Sequence, residues 1–300
     1  MAADLPTPLD QAPDALAPGR SLFLKREDVH ELGAFKWRGA VRALAAYRDG
    51  AATGVVTAST GNHAAATAWA AQRMGLGAIV FVPQAVSGAK LRTLEALGAD
   101  VRQVGADLDE AKDAARAHAA AAGLAFFEDG AEPAQFEGYA AIAREVVEQL
   151  GEPPARMVVP LGNGALLIGI ARVLRGRTVG VVAKEAPVMA LSMAAGRPVP
   201  CDRCATFADG MAVRVAIPLA TEELVRLEVP LVQVSERAIA RAVGALAAAG
   251  VRVEGSAAAP LAALAQLEPV AGPEVLLVSG RNIDDELYRR AVEKPGSFPD

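Results

Sequence analysis

Two cysteines, three histidines and 4% aromatic residues in a chain of 300 exclude several kinds of function. Cys201 and Cys204 form one Cys-x-x-Cys within Pro200-Cys201-Asp202-Arg203-Cys204. A structural zinc needs about four ligands and no second pair follows, while a thioredoxin-type pair would open a helix after an early strand. They read as two unlinked thiols in a loop. Sparse aromatics offer few stacking platforms for single-stranded nucleic acid. A net charge of −5 supplies no basic field for nucleic acid or an anionic membrane. No apolar run is long and glycine-poor enough to span a bilayer, and Met1-Ala2-Ala3-Asp4-Leu5-Pro6 lacks the basic and apolar regions of a signal peptide. The expectation is a cytoplasmic protein.

What is present is an apolar, alanine-rich chain, 52% hydrophobic with 28 glycines and 19 prolines, enough for one large or two modest domains with a real core. The mean hydropathy of +0.26 comes largely from alanine-rich helices such as 114–122 and 240–249. Apolar strands alternate with amphipathic helices. Strands are expected at 54–57, 78–82, 100–104, 124–127, 157–160, 178–183, 231–234 and 274–278. Helices are expected at 62–74, 88–97, 108–122, 139–150, 166–174, 236–249 and 258–267. Such alternation predicts an α/β fold with parallel sheets, arranged as two open α/β domains with a cleft between them. Breaks at 129–133 and 151–154 are plausible domain edges. Ligands in such sheets bind beyond the carboxyl ends of the strands.

Lys36 stands in Gly33-Ala34-Phe35-Lys36-Trp37-Arg38-Gly39-Ala40, just past a strand-like segment, where an amine can be desolvated and used as a Schiff-base nucleophile. Taken alone, a lysine there reads as a solvated helix residue. Three loops after strands change that reading. Gly162-Asn163-Gly164-Ala165-Leu166 opens an apolar helix, so its backbone N–H groups and the helix dipole suit a phosphate. It is neither a dinucleotide fingerprint, which needs glycine at Leu167, nor a Walker-type phosphate loop. Ser59-Thr60-Gly61-Asn62-His63 combines helix-capping side chains with N–H groups suited to a substrate carboxylate. Ser279-Gly280-Arg281-Asn282 ends the last strand with a hydroxyl able to bond a ring nitrogen.

Together with Lys25-Arg26-Glu27-Asp28, Ala208-Asp209-Gly210 and Glu254-Gly255-Ser256, these motifs resemble the serine/threonine dehydratase family. That is the fold type II group of pyridoxal-phosphate enzymes, tryptophan synthase beta-like, which includes serine racemase. The resemblance runs from Thr7-Pro8-Leu9 to about Asp284. It implies a large cofactor-binding domain over 1–48 plus 135–300 and a small substrate-loop domain over 49–134. It implies pyridoxal 5'-phosphate as cofactor, with Lys36 as Schiff-base lysine and α-proton base, Phe35 beside the ring and Asn62 at the phenolic oxygen. Gly162, Asn163, Gly164, Ala165 and Leu166 match the phosphate cradle, and Ser279 the pyridine-nitrogen partner. Ser59, Thr60, Gly61 and His63 match the substrate loop. A serine does not stabilise a protonated pyridinium, so the weaker electron sink favours prompt β-elimination. The implied reaction converts a β-hydroxy amino acid to a 2-oxo acid and ammonia, by a homodimer.

Departures bound the resemblance. Asn163 and Ala165 replace two of the family's usual glycines. Thr60, bulkier than the usual serine, stands where racemases carry their second-face acid or base. Arg281 replaces a glycine and places a cation at that turn, near the active-site mouth. Glu185 is followed six residues later by Leu191, not the aspartate of the racemase metal site, so no metal is expected there. The chain ends soon after the last motif, so no regulatory domain or isoleucine feedback is expected. Rival readings are a threonine-synthase-like enzyme or an amino-acid racemase on the same fold, and a pyridoxal-phosphate-binding protein without catalysis.

Overall fold

The computed structural model describes residues 6–300. In chain order the elements are β1 (Leu9–Gln11), β2 (Leu22–Arg26), α1 (Lys36–Asp49), β3 (Gly54–Ala58), α2 (Asn62–Met74), β4 (Gly77–Val82), α3 (Gly88–Ala96), β5 (Asp100–Gln103) and α4 (Leu108–Ala122). They continue as β6 (Ala125–Phe126), α5 (Pro133–Leu150), β7 (Arg156–Pro160), α6 (Ala165–Val173), β8 (Thr178–Ala183), α7 (Val188–Ala195) and α8 (Pro218–Arg226). The last are β9 (Leu231–Val234), α9 (Glu236–Ala248), α10 (Gly255–Ala263), β10 (Glu274–Val278) and α11 (Asp285–Glu293).

The chain forms two compact units, Met1–Phe35 with Tyr139–Asp300, and Lys36–Gly138. They divide at 35/36 and 138/139 rather than at the 48/49 and 134/135 expected from the resemblance, because α1 packs on α2 and so travels with the smaller unit. Phe35 and Tyr139, both in the larger unit, meet edge to face with ring centroids 5.0 Å apart.

The larger unit holds a sheet ordered β1-β2-β10-β7-β8-β9, parallel apart from β1, which runs antiparallel to β2. β10 (Glu-Val-Leu-Leu-Val) and β8 (Thr-Val-Gly-Val-Val-Ala) are buried along their whole length, the continuous apolar pattern of a strand covered on both faces. A Cβ on Gly180 would meet Leu231 and Leu167 methyls at 2.6 and 2.7 Å, so glycine lets those side chains close over β8. The smaller unit holds a wholly parallel sheet, β5-β4-β3-β6. Its helix α4 starts with the Asp107 side chain accepting from Glu110 N–H and ends at left-handed Gly123.

The helices α1, α7, α8 and α11 and the strand β1 add to the elements expected from periodicity. α5 starts at Pro133, earlier than the expected 139, because a proline in the first helical turn gives up only an N–H that has no partner there. α10 runs through Pro260 and starts and ends earlier than expected. No helix among the described residues is long and apolar enough to cross a membrane.

Candidate active site

In the larger unit the expected loops follow their strands and converge. Gly162 follows β7, and a Cβ on it would lie 2.2 Å from the carbonyl oxygen of Gly210. A Cβ on Gly210 would in turn lie 2.7 Å from Ser256 Oγ, and one on Gly280 3.0 Å from the Glu254 carboxylate. Glu254 N–H donates to the Gly280 carbonyl at 3.1 Å. Phe35 N–H donates to the Ser279 carbonyl at 3.1 Å, Ala34 bridges Gly280, and Arg281 N–H donates to the Gly33 carbonyl at 2.9 Å. The segment leading to Lys36 is thus stitched antiparallel along the loop that carries Ser279.

Gly164 caps α6 with φ of 103°, a conformation that favours glycine, and the first-turn N–H groups of such a helix lack intrahelical acceptors. Asn163 Oδ1 accepts from Ala165 N–H at 3.2 Å, so an amide oxygen already occupies one position where an anion oxygen would bind. Ser279 is 1% exposed, and the buried Ser256 hydroxyl has no hydrogen-bond partner among the described residues. Glycines that admit no Cβ, a helix start and an orphaned buried hydroxyl fit a phosphate-bearing cofactor. Arg281 does not face outward as a free cation. Its guanidinium donates to the backbone carbonyls of Asp28 and His30, which closes the turn after β2.

In the smaller unit Lys36 is the first residue of α1 and its Nζ lies 2.6 Å from Asp129 Oδ2. The other carboxylate oxygen accepts from Gln135 Nε2 at 3.2 Å and faces His63 Nδ1 at 3.5 Å. Gln135 is wholly buried and also accepts from Gly130 N–H at 2.8 Å. His63 Nε2 lies 3.0 Å from Thr57 Oγ1 and 3.3 Å from the Phe127 carbonyl, and Thr57 Oγ1 donates to that carbonyl at 2.8 Å.

Burial raises the Asp129 carboxyl, but the Lys36 and His63 charges and the donors Lys36 and Gln135 outweigh it and hold it well below the carboxylate range. Burial lowers the His63 imidazole, with Lys36 adding to that effect and Asp129 opposing it. Asn62 opens α2 after Gly61; Ser59 Oγ accepts from Gly61 N–H at 3.2 Å, and Thr60 is half-buried in the same loop. Asp129 lay outside the expected site residues, although an acid just past the carboxyl end of β6 stands where parallel sheets place ligand-binding groups. Its glycine- and proline-bearing surroundings read as a domain edge instead.

A lysine amine on a carboxylate in one parallel α/β unit and a buried glycine–serine loop cluster in the other are groups that a carbonyl cofactor with a phosphate requires. The chain belongs to the family described as "Pyridoxal-phosphate dependent enzyme", whose model matches residues 2–280, and pyridoxal phosphate is its cofactor. It is 34% identical over 288 residues to an L-threonine ammonia-lyase of Geobacter sulfurreducens, covering 92% of this chain and 71% of that one. It is 35% identical over 215 residues to the biosynthetic L-threonine dehydratase IlvA of Pasteurella multocida, covering 69% of this chain but only 42% of that protein. The processed form of threonine deaminase isoform 2 from Solanum lycopersicum superposes with a TM-score of 0.89 at 27% identity, covering 98% of this chain and 89% of that one.

Proposed function

We propose that this chain is an ammonia-releasing lyase that eliminates water from a serine- or threonine-like β-hydroxy amino acid. The observation that carries this reading is the backbone tie between Phe35 and Ser279, which sets the residue before Lys36 against the serine expected at the ring nitrogen. The likeness to L-threonine ammonia-lyase over 92% of the chain supports it.

The α6 start with Gly162, Asn163, Gly164, Ala165 and Leu166 would hold the phosphate, Ser279 and Asn62 the ring's polar atoms, Phe35 its face and Lys36 its aldehyde carbon. Bound pyridoxal phosphate supplies the electrophilic carbon for the lysine and a sink for the electrons left on the substrate's Cα. Lys36 Nζ would take the α-proton. N–H groups of the loop from Ser59 to His63, at the start of α2, orient the substrate carboxylate, since a helix amino terminus favours anions. Thr60 holds a hydroxyl in the same loop. The Ser279 hydroxyl, unlike a carboxylate, would not hold a proton on the ring nitrogen, and the weaker electron sink would favour loss of the β-hydroxyl over slower exchange at Cα. The hydroxyl would take up a proton and leave as water, and a second water would hydrolyse the freed enamine to the 2-oxo acid and ammonia.

The same reading makes the enzyme a cytoplasmic homodimer, which sedimentation and cell fractionation test. Borohydride should abolish a visible absorption band and mark the Lys36 peptide. 2-Oxo acid release should appear with some member of a panel of serine, threonine, hydroxyaspartate and phenylserine stereoisomers, and vanish in Lys36→Ala. A purified holoenzyme that releases none from the panel refutes the assignment.

A further inference from the structure

Resting on the reading of Lys36 as the cofactor lysine, the geometry points to Asp129 as a positioning residue: in the cofactor-free chain it holds the Lys36 ammonium, so the amine turns nucleophilic only by leaving that contact. Lys36 Nζ meets Asp129 Oδ2 at 2.6 Å, the length of a charge-assisted bond. The carboxylate cannot swing away freely, because its other oxygen is held by the buried Gln135 side chain at 3.2 Å. Gln135 is in turn fixed by Gly130 N–H.

His63 does not compete with Lys36 for the carboxylate. Its Nε2 can only donate to the Phe127 carbonyl, and Thr57 Oγ1, having spent its own proton on the same carbonyl, accepts from it too. In the neutral ring that leaves Nδ1 without a proton toward Asp129, at 3.5 Å. Lys36 is therefore the main cationic partner of a carboxylate fixed from behind. The structural consequence is a restraint that aims Nζ and withholds its lone pair at once. Condensation with an aldehyde breaks all three N–H bonds of the ammonium and forms a C=N bond: two of the hydrogens leave with the carbonyl oxygen as water, and the third passes to solvent as a proton, since Asp129 is too weak a base to keep it.

The test uses cofactor-free protein and trinitrobenzenesulfonate at neutral pH, which forms an N–aryl bond and expels sulfite, with adducts quantified by peptide mass spectrometry. Lys36 labelling should accelerate about tenfold in Asp129→Asn, because a charge-assisted bond is replaced by a neutral one. Asp129→Glu should restore slow labelling. Exposed Lys90 is the internal control and should label equally in all forms. Circular dichroism checks the fold, and Asp129→Ser replaces the asparagine variant should that one unfold. Equal Lys36 labelling in folded wild type and Asp129→Asn overturns the proposal. Borohydride trapping of pyridoxal phosphate on Lys36 is scored separately: its failure in wild type removes the functional reading, whichever way the labelling falls.

Discussion

Gly162 and Gly210 approach so closely that a methyl carbon on the first would lie 2.2 Å from the carbonyl oxygen of the second. Backbone cannot yield as a side chain can. Gly162→Ala should therefore lose about 1–3 kcal/mol or more in urea denaturation, as overpacked sites do, and bind pyridoxal phosphate weakly. Gly61→Ala is the contrast, since a Cβ there has nothing within 4 Å and φ is −128°. Its stability should change by no more than about 0.5 kcal/mol.

Lys25 is wholly buried, its ammonium donating to the Thr7 carbonyl at 2.7 Å, Glu145 at 2.6 Å and Gln149 at 3.0 Å. Removing one charge of such a pair strands the other, so Glu145→Ala should cost roughly 3–5 kcal/mol. The double variant Lys25→Met with Glu145→Leu should recover most of that loss. A double-mutant cycle by denaturant titration reads the coupling.

The folded-state imidazole of His63 lies below its ordinary value of 6.5, mainly through burial. Between those two values the unfolded chain binds the extra proton, so stability rises with pH there and falls on acidification below about 6.5. Asp129, also lowered, acts in the same direction further into acid, below its ordinary 3.8. A single proton contributes a slope of at most about 1.4 kcal/mol per pH unit. His63→Gln should flatten the upper part of this profile in thermal melts; an unchanged slope would show that other groups set it.

Tyr47 donates to Glu132 Oε2 at 2.8 Å, and burial first, then that bond and the Glu132 charge, raise its phenol far above the ordinary 10.0. Native protein should show no Tyr47 ionisation near pH ~11, where a free phenol is mostly ionised. Tyr47→Phe should leave the native phenolate titration unchanged and remove one phenol from the titration in denaturant.

The strands and their loops were legible because parallel strands buried on both faces read as short apolar runs, and β7, β8 and β10 do so after their first residue. The glycines of 162–164 and Ser279 were legible as residue types at strand ends. Asp129 was not, because its role rests on contact with Lys36, 93 positions away, and no local pattern marks a partner that distant. Lys25 was hidden for the same reason: its partners Glu145 and Gln149 lie on α5, more than a hundred residues on. Arg281 looked like a cation for the site, yet it serves two carbonyls left over by the turn at 28–30.

The Phe35–Tyr139 ring contact has a topological meaning. Phe35 is the last residue of the larger unit before the chain departs, and Tyr139 the first on its return. A hundred-residue excursion thus begins and ends at one aromatic clasp, and the larger sheet borrows no strand from it. Loop-closure cost grows only slowly with length, so a clasp of this kind tolerates changes of length in what it encloses. The smaller unit is an insertion whose surface loops can lengthen or shorten without rewiring the larger sheet.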